Sequence, residues 1–362
     1  MSICYGWDIG GVHLKLSRLE RDAAKRSEIV TSIEPFEIWK APDKLAERLT
    51  MMLARSSAGP AENRCGDGVR HAVTMTAELS DLFATRSDGV RFILQACSAA
   101  LGGDSLRVFT LDGALIRPEE AMESPLRAAA ANWVATAHLI ARHAGPSVLI
   151  DVGSTTTDII PIDARGPITM SRADTERLLS GELVFTGALR TPPSSLAGSV
   201  PLRGGACRVA SEHFCLMADA YRLLGRIVEA DYTVATADGR GKSREDAAAR
   251  LARLVCADRR DLSDAEIMAI AEFLEDRQID LIASALRQVR ERFPEARGRP
   301  IWTAGIGSFI ARGAAARVGE EAGRLDQMIP DLAGDRWERA APSAALALLL
   351  AAAGDDAAGG KN

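Results

Sequence analysis

Residues 149–162 read LIDVGSTTTDIIPI, two apolar runs separated by a polar turn. The apolar residues before Asp151 are typical of the end of a buried strand, and the run from Ile159 to Ile162 is typical of a second strand. Gly153 permits a tight turn between the two strands. The sequence therefore predicts a β-hairpin whose turn carries a carboxylate followed by four hydroxyl side chains, those of Ser154, Thr155, Thr156 and Thr157.

This turn has the composition of a phosphate-binding loop. Gly153 lets the backbone approach a ligand closely, and the neighbouring N–H groups and hydroxyls can donate to phosphate oxygens. Asp151 and Asp158 offer the carboxylate oxygens that a hydrated Mg²⁺ prefers. Taken alone, the pattern is also compatible with a simple hairpin tip whose threonines bond to their own backbone.

A second copy of the pattern lies near the N-terminus, where residues 4–20 read CYGWDIGGVHLKLSRLE. An apolar strand ends in Asp8, Gly10 and Gly11 follow, and an alternating strand continues through Lys15. The two aspartates lie 143 positions apart. This repetition favours a functional pair over two coincidental turns, and it adds Asp8, both glycines and Lys15 to the candidate site.

A third motif follows Pro300, where residues 301–310 read IWTAGIGSFI. The pattern predicts a strand that passes through Gly305 and Gly307 into the N-terminus of a helix. That geometry presents unpaired N–H groups to an anion or to the ribose of a purine nucleotide. A single G-x-G is weak evidence by itself, but here it comes third after two Asp-Gly hairpins.

Two further segments supply candidate side chains. The segment TMTAELSD, residues 74–81, places Glu78 just beyond a predicted strand, where ligands bind in open α/β sheets, although acids there also start helices. The segment GELVFTGALRTPPSS, residues 181–195, reads as an ordered loop. It contains Glu182 and also Arg190, which could pair with a phosphate or carboxylate, although a lone arginine more often forms a surface ion pair.

Composition narrows the class of protein. The chain has 362 residues, enough for two domains, and a formal net charge of −5 with acids and bases interspersed, which argues against a nucleic-acid groove or a polybasic membrane surface. Its six cysteines show no C-x-x-C spacing and predict reduced thiols in a cytoplasmic protein. The N-terminus resembles no signal peptide, and the longest apolar run, residues 344–353, is too short to span a bilayer.

The predicted elements divide the chain into two α/β lobes. The first lobe is expected over residues 1–145 and is joined by a C-terminal helix, residues 341–354; the second covers residues 146–340, and residues 355–362 are expected to fray. Predicted helices include residues 124–143, 210–229, 243–256 and 263–293, and a strand is predicted over residues 325–329.

The three motifs together resemble the sugar kinase, heat-shock protein 70 and actin superfamily. The resemblance implies a two-lobed actin-like ATPase (RNase H-like) fold with a ligand cleft between the lobes. Five segments, DIGGVHLK, TMTAELSD, LIDVGSTTTDIIPI, GELVFTGALRTP and TAGIGS, are more specifically similar to the hydantoinase/oxoprolinase-related family of tetrahydromethanopterin-linked one-carbon pathways. This similarity extends roughly from Tyr5 to the C-terminal helix.

The family resemblance implies a transferase that makes the ether bond of a methanofuran-like coenzyme, here in a methylotroph. A phenol of a (glutamyl)tyramine- or tyrosine-type acceptor would displace diphosphate from an aminomethylfuranmethyl diphosphate. Glu78 or Glu182 would act as the base, Mg²⁺ would be held by Asp8, Asp151 and Asp158, and the glycines and hydroxyls of both turns would hold the phosphates. ATP binding at residues 305–307 is allowed but not expected to be required.

Two other classes of function remain open from the sequence. One is an ATP-dependent small-molecule kinase or oxoprolinase-like ATPase that uses the same motifs on ATP. The other is a non-catalytic actin-like nucleotide-binding protein, which the retained acids and the short length disfavour. The expected partners are small molecules only, neither nucleic acid nor a membrane, and a homodimer is one option for the oligomeric state.

Overall fold

The computed structural model describes residues 2–21, 27–56, 69–169, 172–330, 332–333 and 337–359. The polar loop predicted between the first helix and the next strand, residues 57–68, lies outside this part, as do residues 360–362 of the predicted tail. Up to Gly359 the backbone of that tail continues the C-terminal helix.

The strands of the described residues follow in chain order. They are β1 (Ser2–Ile9), β2 (His13–Arg21), β3 (Ser27–Pro35), β4 (Val69–Met75), β5 (Leu106–Phe109), β6 (Leu115–Ile116), β7 (Ser147–Val152), β8 (Thr157–Ile162), β9 (Leu183–Val184), β10 (Ser199–Leu202), β11 (Gly205–Arg208), β12 (Ile301–Ala304), β13 (Ala322–Arg324) and β14 (Leu332–Ala333).

The α-helices of the same residues are α1 (Leu45–Ser56), α2 (Arg86–Leu101), α3 (Pro118–Glu123), α4 (Asn132–Ala144), α5 (Asp174–Ser180), α6 (Met217–Leu223), α7 (Arg244–Arg253), α8 (Asp264–Arg292), α9 (Ser308–Arg317) and α10 (Ala341–Gly359). None of them is both long enough and apolar enough to cross a membrane, within the part of the chain that the structure describes.

The chain divides into two units. The first comprises Met1–Pro146, Ile162–Ile168 and Leu325–Asn362, and the second comprises Ser147–Pro161 and Thr169–Arg324. This differs from the division expected from sequence, which placed residues 162–168 and 325–340 in the second lobe. The reason is pairing: β14 joins β3 in the first sheet, and the predicted strand at residues 325–329 is a 3-10 turn, Leu325–Met328.

Both units contain a sheet with the same strand order. The first sheet runs β14-β3-β2-β1-β4-β5-β6 and the second runs β13-β12-β7-β8-β9. In the first, β1 pairs antiparallel with β2 and parallel with β4; in the second, β7 and β12 are parallel and β8 and β9 are antiparallel. Numbered within each unit, both follow the order 3-2-1-4-5, so the two hairpins quoted above occupy equivalent places in their sheets.

Helix α10 packs on the sheet of the first unit, as predicted, and contacts β1, β2, β4 and α4. The contact with β1 is close because Gly6 has no side chain: a Cβ there would lie 1.9 Å from the carbonyl oxygen of Ser343. The hydroxyls of Ser17 and Ser343 are 2.7 Å apart in the same buried contact. Gly6 on β1 and Ser17 on β2 therefore let the alanine-rich helix approach the sheet closely.

Two predicted helices are shorter than expected. The helix predicted at residues 124–143 is confirmed only from Asn132 onward, since Ala130 adopts a left-handed φ of 49° and donates its N–H to the Glu78 carboxylate. The helix predicted at residues 210–229 is reduced to α6: it begins only at Met217, whose N–H donates to the Thr191 carbonyl, and Gly225 with φ 70° follows its end. Helices α7 and α8 are confirmed, each capped by the predicted serine.

Candidate functional site

The first hairpin ends in a turn that is fixed by backbone hydrogen bonds. The N–H of Gly10 donates to the carbonyl of His13 at 2.9 Å. On its other side, the carbonyls of Val12 and Gly11 accept N–H groups from Phe36 and Ile38 at 2.9 and 3.1 Å. The segment after β3 thus holds the turn in one conformation.

Asp8 lies at the end of β1, directly opposite Lys15 on β2, and is almost fully buried. Its Oδ2 atom is 3.1 Å from Lys15 Nζ. Its Oδ1 atom is buried and has no hydrogen-bond partner among the described residues, and the same is true of the hydroxyl of Thr74, its neighbour on β4. Since an unsatisfied buried polar atom costs about 1–3 kcal/mol, this pair of oxygens is where a cation, water or ligand atom would complete the bonding.

Glu78 follows β4, the strand that pairs with β1, and is buried in the core of the first unit. It lies in the 3-10 turn Ala77–Leu79 after β4, and its Oε1 atom accepts the Ala130 N–H at 2.7 Å. Helix α2 approaches so closely that a Cβ on Gly89 would be 2.7 Å from the Cα of Glu78. Glu78 thus lies in a 3-10 helix of three residues, and the next α-helix, α2, begins at Arg86. The role of Glu78 in the site stays a prediction.

The hydroxyl-rich turn of the second unit has the same backbone bond as the first. The Gly153 N–H donates to the Thr156 carbonyl at 2.9 Å. The side chains of Ser154, Thr155 and Thr156 are partly exposed, and the first two hydroxyls are 3.5 Å apart. These hydroxyls are therefore accessible at the tip of a rigid hairpin.

A loop over residues 186–191 is hydrogen-bonded to one side of this turn. The N–H groups of Leu189 and Arg190 both donate to the Ser154 carbonyl, at 3.0 and 2.9 Å, and that of Ala188 donates to the Gly153 carbonyl at 2.9 Å. The approach is so close that a Cβ on Gly187 would lie 2.6 Å from the Thr155 nitrogen. Arg190, whose side chain is exposed, is thus joined to the turn through its backbone.

The loop is held in turn by a buried polar network that sequence reasoning missed. Gln278 on α8 donates from Nε2 to the Thr186 hydroxyl at 2.8 Å and to the Gly187 carbonyl at 2.9 Å, and Tyr221 on α6 donates to Gln278 Oε1 at 2.6 Å. The Thr191 hydroxyl accepts the Gly187 N–H at 2.8 Å. No local pattern marks these residues, because they lie 57 and 92 positions from their partners.

The predicted glycine loop packs against the end of β7, the strand that carries Asp151. Gly305 has a φ of 83°, and a Cβ there would be 2.2 Å from the Val152 carbonyl oxygen and 2.4 Å from Asp151 Oδ1. The Gly307 N–H donates to the Val152 carbonyl at 2.8 Å, and α9 begins at the next residue. Packing against β7 therefore accounts for both glycines, and their role in holding a nucleotide stays a prediction.

Asp158 and Glu182, two other predicted site residues, have partners inside the second unit. Asp158 Oδ1 accepts a hydrogen bond from the buried guanidinium of Arg177 at 2.8 Å. Glu182 is fully buried and accepts the Ser180 hydroxyl at 2.6 Å. Asp158 lies five residues after its turn glycine, as Lys15 does after Gly10, so the equivalent position carries opposite charge in the two hairpins.

These carboxylates are not gathered into a ready metal centre. Across the residues that the structure describes, no group of three or more His, Cys, Asp or Glu side chains is placed to hold a metal ion. Asp8 is the predicted metal ligand with an unsatisfied buried oxygen. The assignment of Asp8, Asp151 and Asp158 to Mg²⁺ remains a prediction.

Two sheets of order 3-2-1-4-5, each opening with an acid–glycine hairpin, define an α/β fold in which one strand order is repeated, the arrangement that the resemblance to the actin superfamily implies. The hydantoinase/oxoprolinase family profile matches residues 70–327, and the chain belongs to this family. The α/β fold class and the family expected from the sequence are thereby confirmed.

Among its relatives is the (4-{4-[2-(γ-L-glutamylamino)ethyl]phenoxymethyl}furan-2-yl)methanamine synthase of Methanocaldococcus jannaschii. It is 36% identical over 290 residues, which cover 80% of this chain and 82% of the relative. The protein of the same name from Methanococcus vannielii is 36% identical over 146 residues, 40% of this chain and 65% of the relative. A solved activator of 2-hydroxyisocaproyl-CoA dehydratase from Clostridium difficile, with bound ADPNP, is 12% identical over 98% of this chain and 97% of its own, with a TM-score of 0.43.

Proposed function

We propose that this protein is a transferase that forms an aryl-alkyl ether in the biosynthesis of a methanofuran-like coenzyme. The observation that carries the proposal is the 36% identity over 80% of the chain to a relative whose name describes a phenoxymethylfuran product. In that product, the phenol oxygen is bonded to the methylene carbon of the furan. The substrates are an aminomethylfuranmethyl diphosphate and a phenolic acceptor of the (glutamyl)tyramine or tyrosine type.

The reaction exchanges one carbon–oxygen bond for another. The phenolic oxygen bonds to the furan methylene carbon, the bond from that carbon to diphosphate breaks, and the phenol proton leaves with a base. Diphosphate departs readily only when its developing charge is stabilised. The turn at residues 153–156 suits this task, since its hydroxyls are accessible and its backbone is fixed by the loop at residues 186–191.

Asp8 fits a role in holding a divalent cation. Its Oδ1 atom is buried and lacks a partner among the described residues, and carboxylate oxygen is a preferred ligand of Mg²⁺. When bound, Mg²⁺ would supply charge neutralisation for the diphosphate. Asp158 fits this role less well because Arg177 already neutralises it.

Of the two predicted bases, Glu78 is the better candidate. It lies two residues after Thr76, whose N–H donates to the Ile9 carbonyl beside Asp8, and so it belongs to the first hairpin's surroundings. Glu78 and Glu182 are both buried and hydrogen-bonded, to Ala130 and Ser180, so the position beside the first hairpin is what favours Glu78. A phenol has a reference pKa near 10, so a positioned base accelerates its deprotonation at neutral pH.

A product assay with purified protein tests the proposal. The furanmethyl diphosphate and a tyramine-type phenol should give diphosphate and the ether without ATP, because the first substrate already carries its leaving group. Removal of Mg²⁺ by a chelator should abolish turnover. Strict dependence on ATP, with ADP or phosphate as the product, would overturn the assignment and favour a kinase or an oxoprolinase-like ATPase.

A further inference from the structure

The second unit contains a cavity that none of the sequence motifs predicted. Its volume is about 550 Å³. Its lining carries both signs of charge, with four arginines and two aspartates: Arg240, Arg250, Arg253, Arg259, Asp238 and Asp258. Phe214, which is 38% exposed, and His213 also line it. A volume in this range suits a small organic ligand.

The floor of the cavity is a rigid ion-pair cluster. The buried guanidinium of Arg250 donates to Asp219 Oδ1 at 2.9 and 2.8 Å and to Asp238 Oδ1 at 3.1 Å. Asp219 is fully buried and also accepts the Tyr232 hydroxyl at 3.0 Å. Replacement of a buried ion-pair cluster by apolar residues is often neutral for stability, so stability alone does not account for these charges.

The rim of the cavity carries a second, accessible pair of charges. Arg253 Nη2 and Asp258 Oδ1 are 2.7 Å apart, with side chains that are 56% and 44% exposed. An accessible pair of this kind contributes little to stability and can be divided by a ligand that brings charges of both signs. A planar guanidinium binds a carboxylate through two parallel hydrogen bonds, and a carboxylate accepts from an ammonium group.

The cavity is connected to the hydroxyl-rich turn through a short segment of chain. Phe214 lies three residues before Met217, whose N–H donates to the Thr191 carbonyl at 2.8 Å. Thr191 belongs to the loop at residues 186–191, which binds the Ser154 carbonyl. Phe214 therefore lies on the same short segment as Met217, the residue that bonds the end of this loop.

We infer that this cavity binds the zwitterionic α-amino-acid group of the phenolic acceptor, with Arg253 taking its carboxylate and Asp258 its ammonium group. The inference rests on the proposed function, in which the acceptor is a γ-glutamyl amide of tyramine or is tyrosine. Both carry this group, and tyramine lacks its carboxylate. The rim pair offers one charge of each sign to such a zwitterion, whereas a simple anion or cation would use only one of the two.

Binding is measured first without turnover, by calorimetry at constant ionic strength with γ-L-glutamylmethylamide as the probe. Two analogues, 4-aminobutanoyl methylamide and glutaric monomethylamide, lack the carboxylate and the ammonium group in turn. Each analogue should bind at least about tenfold more weakly, since one charged hydrogen-bonded contact is lost. Arg253→Gln should weaken binding of the full probe about tenfold, and so should Asp258→Asn.

Arg317→Gln is the matched control, because Arg317 is also a partly exposed arginine of the second unit paired with carboxylates, those of Asp276 and Asp280, and it does not line the cavity. It should bind the probe as the unmodified protein does.

The exposed Cys256 lines the cavity, so it reports on the occupancy of the cavity. The probe should slow alkylation of Cys256, followed by mass spectrometry, in the unmodified protein and not in Arg253→Gln.

Turnover then separates the two acceptor sources and the two proposals. The ratio of kcat/KM for γ-glutamyltyramine to that for tyramine, or for tyrosine to tyramine, should fall about tenfold in Arg253→Gln, and the larger fall identifies the acceptor. No detectable probe binding, or binding and acceptor preference unchanged in both variants, overturns the inference. Probe binding that depends on Arg253, without ether formation from any acceptor, supports the cavity assignment and overturns the proposed function.

Discussion

At the scale of single residues, the two hairpins use their acids differently. Asp8 has one oxygen paired with Lys15 and one buried oxygen without a partner among the described residues. Asp158 is neutralised by Arg177 in the second unit. A shared sequence pattern thus leads to different local electrostatics, because the charge at the equivalent position, Lys15 in one hairpin and Asp158 in the other, has changed sign.

Asp8→Asn should lower kcat/KM for ether formation by about 10²–10³. A neutral amide would hold Mg²⁺ less well than a carboxylate, so the charge that develops on the departing diphosphate would be stabilised less. The fold should persist, because the side chain keeps its size. Steady-state kinetics and a thermal melt measure the two effects. Glu20→Gln is the control, because Glu20 also pairs with a cation, Arg18, on β2. A rate within threefold of the unmodified protein would remove Asp8 from the site.

Gly305 and Gly319 provide a matched pair for the glycine loop. Both have φ 83°, but a Cβ on Gly305 would meet the Val152 carbonyl at 2.2 Å, whereas one on Gly319 would meet nothing within 4 Å. Gly319→Ala should cost about 1–2 kcal/mol from the left-handed backbone alone. Gly305→Ala should cost at least about 2 kcal/mol more because the β7 contact must open. Urea unfolding measures both; equal losses would mean that close packing is not what selects glycine at position 305.

At the scale of elements, the loop at residues 186–191 connects helices α6 and α8 to the hydroxyl-rich turn. Gln278 and Tyr221 are more than 50 positions apart and are joined by a 2.6 Å hydrogen bond. Gln278 then bonds the loop, and the loop bonds the turn. The hydroxyl geometry therefore depends on two helices that contribute no hydroxyl to it.

Gln278→Leu should destabilise the protein by about 2–4 kcal/mol, because the Gly187 carbonyl and the Tyr221 hydroxyl lose buried partners. It should also raise KM for the furanmethyl diphosphate, because the turn loses its support. Gln288→Leu on the same helix is the control: Gln288 also donates to a backbone carbonyl, that of Leu179 at 2.8 Å, but is exposed, so its loss should stay below about 0.5 kcal/mol. Similar losses in both variants would show that the buried network does not stabilise the loop.

At the scale of the whole molecule, the same sheet order occurs twice, and the first sheet depends on both ends of the chain. Helix α10 packs on β1, β2 and β4, and β14 adds to β3. Among the residues of this helix whose burial the structure describes, seven hydrophobic ones are buried, six of them between Ala341 and Leu350, together with Ser343. The first unit is thus completed only when the C-terminus has been made.

A chain that stops at Ala340 should fail to fold cooperatively, because the face of β1 around Gly6 would be open to solvent. It should be recovered mainly as aggregate, and its soluble fraction should lack a sharp thermal transition by circular dichroism. A chain that stops at Gly359 keeps all of α10 and should melt like the full-length protein. A soluble, cooperatively folding product ending at Ala340 would contradict this dependence.

Much of the local structure could be predicted from the sequence. The strand–turn–strand units around Asp8 and Asp151 follow from apolar alternation and turn glycines, and Ser243 and Ser263 cap their helices as expected. The helix predicted through Ala130 was wrong because a single distant carboxylate, that of Glu78, captures the Ala130 N–H. Helical periodicity contains no information about such a contact.

The sequence by itself determined the two hairpins, the order of the elements and the family, since each depends on patterns within a few residues of one another. Only the tertiary structure decided which polar groups are satisfied. It paired Asp158 with Arg177, placed Gly305 against Val152, and supported the hydroxyl-rich turn with Gln278. The physical reason is that hydrogen bonds and close packing act over a few ångströms in space, between residues that folding brings together from distant parts of the chain.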